Sequence, residues 1–280
     1  MHGILLLILI GIPLPNQPST TTQDKYQLVW ADEFDEPGRP NPKNWTFEHG
    51  FVRNKELQWY QPENAWVEDG KLIIEGRKIK KRKNPKFKKG SKDWKSKWRW
   101  VKYTSASVTT RGRHNWKYGR FEVKAKITAE LGLWPAIWFI GLDGDWPDRG
   151  EIDLMEFNRG NIMANACWGS DKKDKPTWDF KKTPLSSFKD PKWDDKFHLW
   201  VMEWDHDLIK LSVDGRVLNT IDVRKALNRG NRAPKFPFRQ PHYLLINLAL
   251  GGNSGGSVAK TNFPSRYEID YVRVYQKVEK

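Results

Sequence analysis

The stretch Gly150-Glu151-Ile152-Asp153-Leu154-Met155-Glu156-Phe157 places three carboxylates inside an otherwise apolar run. Ile, Leu, Met and Phe in sequence predict a buried strand, and side chains on a strand alternate between faces, so Glu151 and Asp153 share one face. Glu156 lies five positions from Glu151 and would point the opposite way on a regular strand. One extra residue near Leu154 and Met155, a β-bulge, returns it to the same side. A chain carrying this stretch must therefore build a sheet with one face packed and one face open enough to hold three acids.

Like charges at this spacing do not all ionise freely, so their pKa values are driven apart, the condition for one acid and one base at neutral pH. The pattern suggests two-carboxylate hydrolysis of a glycosidic bond. In its retaining form one carboxylate attacks the anomeric carbon and another protonates the leaving oxygen, the two carboxyls lying roughly 5 to 5.5 Å apart. Glu151 and Glu156 take the outer positions, and the shorter Asp153 sits where it can hydrogen-bond either neighbour.

From Tyr26 onward the chain reads as short alternating or apolar runs broken by Gly, Pro, Asn and Asp. This predicts an all-β protein, a β-sandwich of two antiparallel curved sheets with a concave cleft. Expected strands include Ala65–Val67, Lys71–Glu75, Ser105–Arg111, Gly119–Ile127, Ala136–Ile140, Glu151–Phe157, Asn161–Trp168, His198–Trp204, Leu208–Val213, Tyr243–Leu250 and Glu268–Gln276. Asp69-Gly70 and Asp214-Gly215 predict hairpin turns. A short helix is expected between Ile221 and Arg229. No linker divides the chain, so residues 25–280 are expected to form one domain.

Glu-Ile-Asp-Leu-Met-Glu resembles the active-site strand of glycoside hydrolase family 16, the group of laminarinases, agarases, carrageenases and related endo-glycanases. The resemblance runs from about Leu28 to Gln276. It includes Trp30-Ala31-Asp32-Glu33-Phe34, Glu56-Leu57-Gln58-Trp59-Tyr60, Tyr118-Gly119-Arg120-Phe121-Glu122, Leu133-Trp134-Pro135-Ala136-Ile137-Trp138 and Tyr267-Glu268-Ile269-Asp270-Tyr271. It implies a concanavalin A-like jelly roll, with Glu151 as nucleophile, Asp153 as its electrostatic assistant and Glu156 as general acid and then base. It also implies sugar-binding roles for Asn64, Trp134 and Trp138. Trp168 is expected near the acid/base end and Trp178 in a Lys-rich loop, Asp174–Trp178, that caps a subsite. A structural calcium on the convex side would use Glu33 and Asp270; catalysis requires no cofactor.

Two departures bear on substrate. Where many laminarinases carry His-Tyr-Gly, this chain reads Cys167-Trp168-Gly169, and their Gly-Gly-Asn-Trp is Gly251-Gly252-Asn253-Ser254 here. The expected function is hydrolysis of internal β-linkages in a polysaccharide, either of the β-1,3-glucan type or of a β-galactan type such as porphyran, keratan or mucin glycans. A lectin-like sandwich that binds without cutting, and a transglycosylase using the same residues, are the rival readings.

The formal net charge is +15, and the segment from Arg77 to Arg99 carries thirteen Lys and Arg against the single Asp93. The bland expectation is a solvated basic insertion spanning about residues 78–100. The sharper one is a lip facing an anionic or sulfated polysaccharide, since Trp94, Trp98 and Trp100 interleave with the Lys residues; nucleic acid is not the expected partner. The apolar run Gly3–Ile12 is too short to span a bilayer and fits a signal peptide within residues 1–24, so a secreted or periplasmic monomer without stable membrane insertion is expected. Cys167 is the sole cysteine, which excludes an intrachain disulfide.

Overall fold

The computed structural model describes residues 26–172, 175–230 and 232–278. The leader predicted at 1–24 and Asp174 of the predicted loop lie outside these. In chain order the strands are β1 (Tyr26–Asp32), β2 (Thr46–Phe47), β3 (Gln58–Tyr60), β4 (Ala65–Glu68), β5 (Lys71–Lys83), β6 (Trp100–Ser105), β7 (Ser107–Thr109), β8 (Gly119–Lys126) and β9 (Leu133–Gly141). There follow β10 (Glu151–Asn158), β11 (Asn161–Gly169), β12 (Pro176–Pro184), β13 (His198–Trp204), β14 (Leu208–Val213), β15 (Arg216–Asp222), β16 (His242–Leu250) and β17 (Ser265–Lys277).

They form two stacked sheets, as the alternating sequence pattern predicts. The inner sheet has the order β12-β11-β10-β9-β16-β7-β2. The outer sheet runs β15-β14-β13-β8-β17-β5-β6-β3, with β1 beside β17 and β4 beside β5. All pairs are antiparallel except β3 with β6. The principal core fills the space between the sheets, with Ile137, Phe139, Ile152, Phe157, Leu244 and Ile246 from the inner sheet meeting Leu72, Phe121, Val123, Trp200, Met202 and Val274 from the outer. Because these core residues hold alternate positions on β9 and β16, their neighbours Trp134, Ala136, Trp138, Tyr243, Leu245 and Asn247 face the other way, into a cleft. Burying so many large apolar side chains, at roughly 25 cal/mol per Å², holds the sandwich together with no crosslink.

The predicted hairpin turns occur where expected, with Asp69 and Asp214 at φ 50° and 48° followed by Gly70 and Gly215 at 67° and 79°. This is the left-handed pair that a two-residue turn requires. Three expectations are corrected. No helix spans Ile221–Arg229: Ile221 pairs with Ile209 as part of β15, and Asp222 then accepts the Arg224 backbone N–H at 3.1 Å, an Asx turn that outcompetes helix formation. Trp178 lies in β12, hydrogen-bonded along β11, instead of in a loop. The basic insertion is a hairpin arm, in which the distal part of β5 pairs with β6 around a short helix α1 (Trp94–Lys97). Self-repulsion is overcome there by a small apolar cluster of Phe51, Trp59 and Val101 with Ile79, Trp94 and Trp98.

Candidate active site

Strand β10 forms the floor of a cleft of about 790 Å³ that runs across the inner sheet. Its register explains how. Against β9, Asp153 pairs with Trp138 and Glu156 with Ala136; against β11, Asp153 pairs with Asn165 and Glu156 with Met163. Three steps on β10 match two on each neighbour, so the strand carries the one extra residue predicted from the sequence. Leu154 and Met155 absorb it, both fully buried, and Glu151, Asp153 and Glu156 all line the cleft.

Each carboxylate has its own donors. Trp146 Nε1 donates to Glu151 Oε2 at 2.9 Å and Trp134 Nε1 to Glu156 Oε1 at 2.8 Å. Between them Asn165 Nδ2 reaches Asp153 Oδ2 at 3.4 Å and Glu156 Oε2 at 3.3 Å. All three pKa values are raised, chiefly because burial penalises charge. Asp153, only 2% exposed, is pushed well above its usual value by burial and then by the charges of Glu156 and Glu151, which favours its protonated form, the form able to donate to Glu151. Glu156 is pushed up to about 7 by burial, then by the Glu151 charge. Glu151 is raised by burial, while the Trp146 N–H and the positive charge of Arg53 favour its ionised form. The Trp146 N–H and Arg53 thus favour charge on Glu151, while the Glu151 charge favours the proton on Glu156.

One end wall comes from residues 48–56. Arg53 is gripped by both oxygens of Glu48 and lies over the Trp138 ring at 4.8 Å. Trp138 Nε1 donates to Asn247 Oδ1 at 2.7 Å. Beneath them Glu56 is buried with its pKa raised by burial, accepting from Gln58 Nε2 at 2.7 Å. The opposite wall carries Trp178, 42% exposed, and Phe180 from β12, with Trp146 from the loop before β10. That loop is pinned: Gln240 accepts from Asp143 N at 2.6 Å and donates to Arg149 O at 2.9 Å, and Arg232 holds Asp148 at 2.9 Å.

Of the sugar-binding residues expected from sequence, Trp134, Trp138 and Trp178 line the cleft, and two do not. Asn64 is wholly buried, with its Nδ2 donating to the Glu75 carbonyl at 2.7 Å, so it braces the outer sheet. Trp168 follows Cys167, which pairs with Glu151; the next residue along a strand faces the other way, and Trp168 packs edge-on against Phe238 at 6.0 Å. It also stands beside Glu151 and not at the Glu156 end. Glu33 and Asp270 do not fit calcium, since Arg273 holds Glu33 at 2.8 and 2.9 Å and Lys124 holds Asp270 at 2.8 Å. Among the described residues no cluster of three or more potential metal ligands occurs.

Sequence reasoning missed Trp146, Arg53 and Asn165. Trp146 and Arg53 come from connecting segments whose position no periodicity reveals. Asn165 was readable, since an Asn in the middle of an apolar strand opposite Asp153 needs a polar partner.

The family model for glycosyl hydrolases family 16 matches residues 79–273. The sequence is 33% identical to a beta-glucanase of Rhodothermus marinus, over 99% of this chain and 94% of that protein. It is 27% identical to a keratan-sulfate endo-1,4-beta-galactosidase of Sphingobacterium multivorum, over 94% of this chain and 58% of that protein. A solved structure from work on endo-acting O-glycanases, which prominent members of the human gut microbiota express to initiate mucin breakdown, superposes with a TM-score of 0.81 at 36% identity, covering 93% of this chain and 94% of the other. With the family's sequence pattern spanning most of the sandwich and the bulged acidic strand on its cleft floor, this chain belongs to glycosyl hydrolases family 16.

Proposed function

We propose that this protein is an exported, retaining endo-β-glycosidase that cuts internal linkages of a galactose-containing glycan of the mucin or keratan type. The observation that carries the hydrolytic reading is the bulge in β10, which turns Glu156 onto the face of Glu151 and Asp153. In the first step the Glu151 carboxylate attacks the anomeric carbon. As the glycosidic C–O bond breaks, Glu156 passes its proton to the departing oxygen. Ester formation removes the charge of Glu151, one of the two main causes that hold the Glu156 pKa at about 7. Glu156 therefore becomes a stronger acid in the intermediate and is ready to act as a base. It takes a proton from water, the water oxygen attacks the anomeric carbon, and Glu151 leaves with the β configuration restored. Asp153 holds its proton toward Glu151 and stabilises the carboxylate each time it is charged or leaving.

The substrate class is supported by the two departures noted in the sequence. Cys167 is fully buried beside Glu151, and Ser254 lines the cleft where the laminarinase pattern has Trp, which leaves room for a bulkier or substituted sugar. The likeness to a structure from mucin O-glycanase work and to a keratan-sulfate galactosidase points the same way. A laminarin-type β-1,3-glucan is the second reading, favoured by the 33% identity to a beta-glucanase. Release of new reducing ends from keratan, mucin glycans and laminarin separates the two. Proton NMR at early times is expected to show β product, and early α product would rule out the double displacement. Glu151→Ser and Glu156→Ala are each expected to abolish release while glycan binding persists.

A further inference from the structure

The positive charge of the molecule is gathered on the hairpin arm. Of the thirteen cations between Arg77 and Arg99, only Arg77 meets a carboxylate among the described residues, Glu75 at 2.6 Å. Arg82 bonds the neutral Gln61 at 2.8 Å, and Asp93 is occupied in capping α1 through the Lys95 N–H at 3.0 Å. Lys78, Lys80, Lys81, Lys83, Lys86 and Lys89 are exposed. Cations this dense repel one another, yet the arm is built to hold them in place. Phe51, Trp94 and Trp98 meet with ring centroids 5.0 to 6.0 Å apart, and Asn84 Nδ2 ties Lys95 O at 2.9 Å to Trp98 O at 2.8 Å.

Two further observations say what such a surface fits. Trp100 is 38% exposed, and Lys81 Nζ and Arg99 Cζ lie over its ring, 5.2 and 5.1 Å from the centroid. Two cations held on one indole suit a sugar bearing an anionic substituent, with the charge on the bases. The arm is also joined to the cleft: Phe51 and Trp59 sit in its apolar cluster, while Arg53, Asn54 and Glu56 of the same segment form the cleft wall.

We infer that the arm is an anion-binding exosite for the polymer whose backbone occupies the cleft, holding sulfate- or carboxylate-bearing sugars outside the catalytic groove. The inference rests on the glycan-cleaving reading above and adds where the charged part of the chain is held. The test combines Lys80→Gln, Lys83→Gln, Lys86→Gln and Lys89→Gln, all at exposed positions. Binding is measured on a Glu151→Ser background to keratan sulfate, to chemically desulfated keratan and to dextran sulfate, at 50 and 300 mM NaCl, with duplex DNA as the competing polyanion. The expected result is at least about tenfold tighter binding of the sulfated keratan at low salt, an advantage that shrinks at high salt and disappears in the quadruple variant. With Glu151 intact, the quadruple variant should cleave desulfated keratan within about twofold of the unaltered enzyme, charge neutralisation at exposed positions being otherwise mild. Undiminished keratan sulfate and dextran sulfate binding by the quadruple variant would overturn the exosite, as would duplex DNA bound more tightly than keratan sulfate. Failure to cleave keratan, with charge-dependent dextran sulfate binding intact, would instead overturn the substrate reading alone.

Discussion

Replacing Trp134 by Phe tests the assignment of Glu156 most directly. The indole N–H donates to Glu156 Oε1 at 2.8 Å and lowers the pKa of that carboxyl, whose value of about 7 is set mainly by burial and the Glu151 charge. Phe keeps a buried ring and removes the donor. A hydrogen bond to a charged group contributes about 1.5–3 kcal/mol. At about 1.4 kcal/mol per pKa unit, its loss should raise the Glu156 pKa by about one to two units. The falling limb of kcat/KM against pH reports loss of the general-acid proton, so it should move from about pH 7 toward 8 or above. Absolute activity should fall, because a weaker acid is a poorer proton donor, yet the ratio of activity at pH 8 to that at pH 6 should rise about five- to ninefold. Trp138→Phe is the control, since its N–H bonds Asn247 at 2.7 Å and no carboxylate. The profile is measured by reducing-end release under substrate-limited conditions. A limb that stays in place, moves to lower pH, or moves equally in both variants would refute the proton-donor role of Glu156 or the part Trp134 plays in it.

The raised pKa also acts on stability. Glu156 holds its proton more tightly folded, near 7, than unfolded, near 4.5, so its contribution is complete below about pH 4.5 and is lost as pH rises through about 7. Glu156→Gln should therefore gain in Tm relative to the unaltered protein between pH 5 and pH 8; a constant difference across that range would contradict the shift. Gly169→Ala tests the loop that carries Trp146: an added Cβ would overlap Asp148 Oδ1 and lie 3.0 Å from Asn228 Oδ1, and Arg232 prevents Asp148 from yielding. The expected result is about 1–3 kcal/mol lost in denaturant unfolding together with at least about tenfold in kcat/KM, and unchanged kinetics would show that the loop does not position Trp146. Cys167, its thiol pKa raised well above the usual value by burial and the neighbouring carboxylates, should resist alkylation at pH 8 until the protein is unfolded; rapid native alkylation would show that the thiol is open to the cleft.

The sandwich and the acidic floor were legible because they rest on strand parity. Two residues per repeat, one interruption at Leu154 and Met155, and the place of three carboxylates follow. Elements governed by side-chain competition were harder to read. The short helix expected between Ile221 and Arg229 does not form because the Asp222 carboxylate is taken up by an Asx turn with Arg224. The basic arm read as a solvated loop because the apolar residues that pack it, Ile79, Trp94, Trp98 and Val101, are scattered among the charges with no period. Asn64 lies away from the cleft because matching a family pattern says nothing of which face a side chain takes, and Trp168, placed by hairpin pairing alone, is turned to the other side by the pairing of Glu151 with Cys167. Trp146, the donor to Glu151, lies in a loop five residues upstream, where no period reaches.

Strand β17 follows the other described strands in chain order, yet it lies in the middle of the outer sheet. Along one edge it meets β8, and along the other it meets β5 through Ser265–Ile269 and then β1 through Val272–Lys277. Until those residues emerge from the ribosome, the outer layer is two unjoined ribbons with exposed edges. Synthesis must therefore pass Ser265–Lys277 before the molecule can close, and a nascent chain halted before Ser265 remains an open, aggregation-prone intermediate however well its cleft sheet has formed.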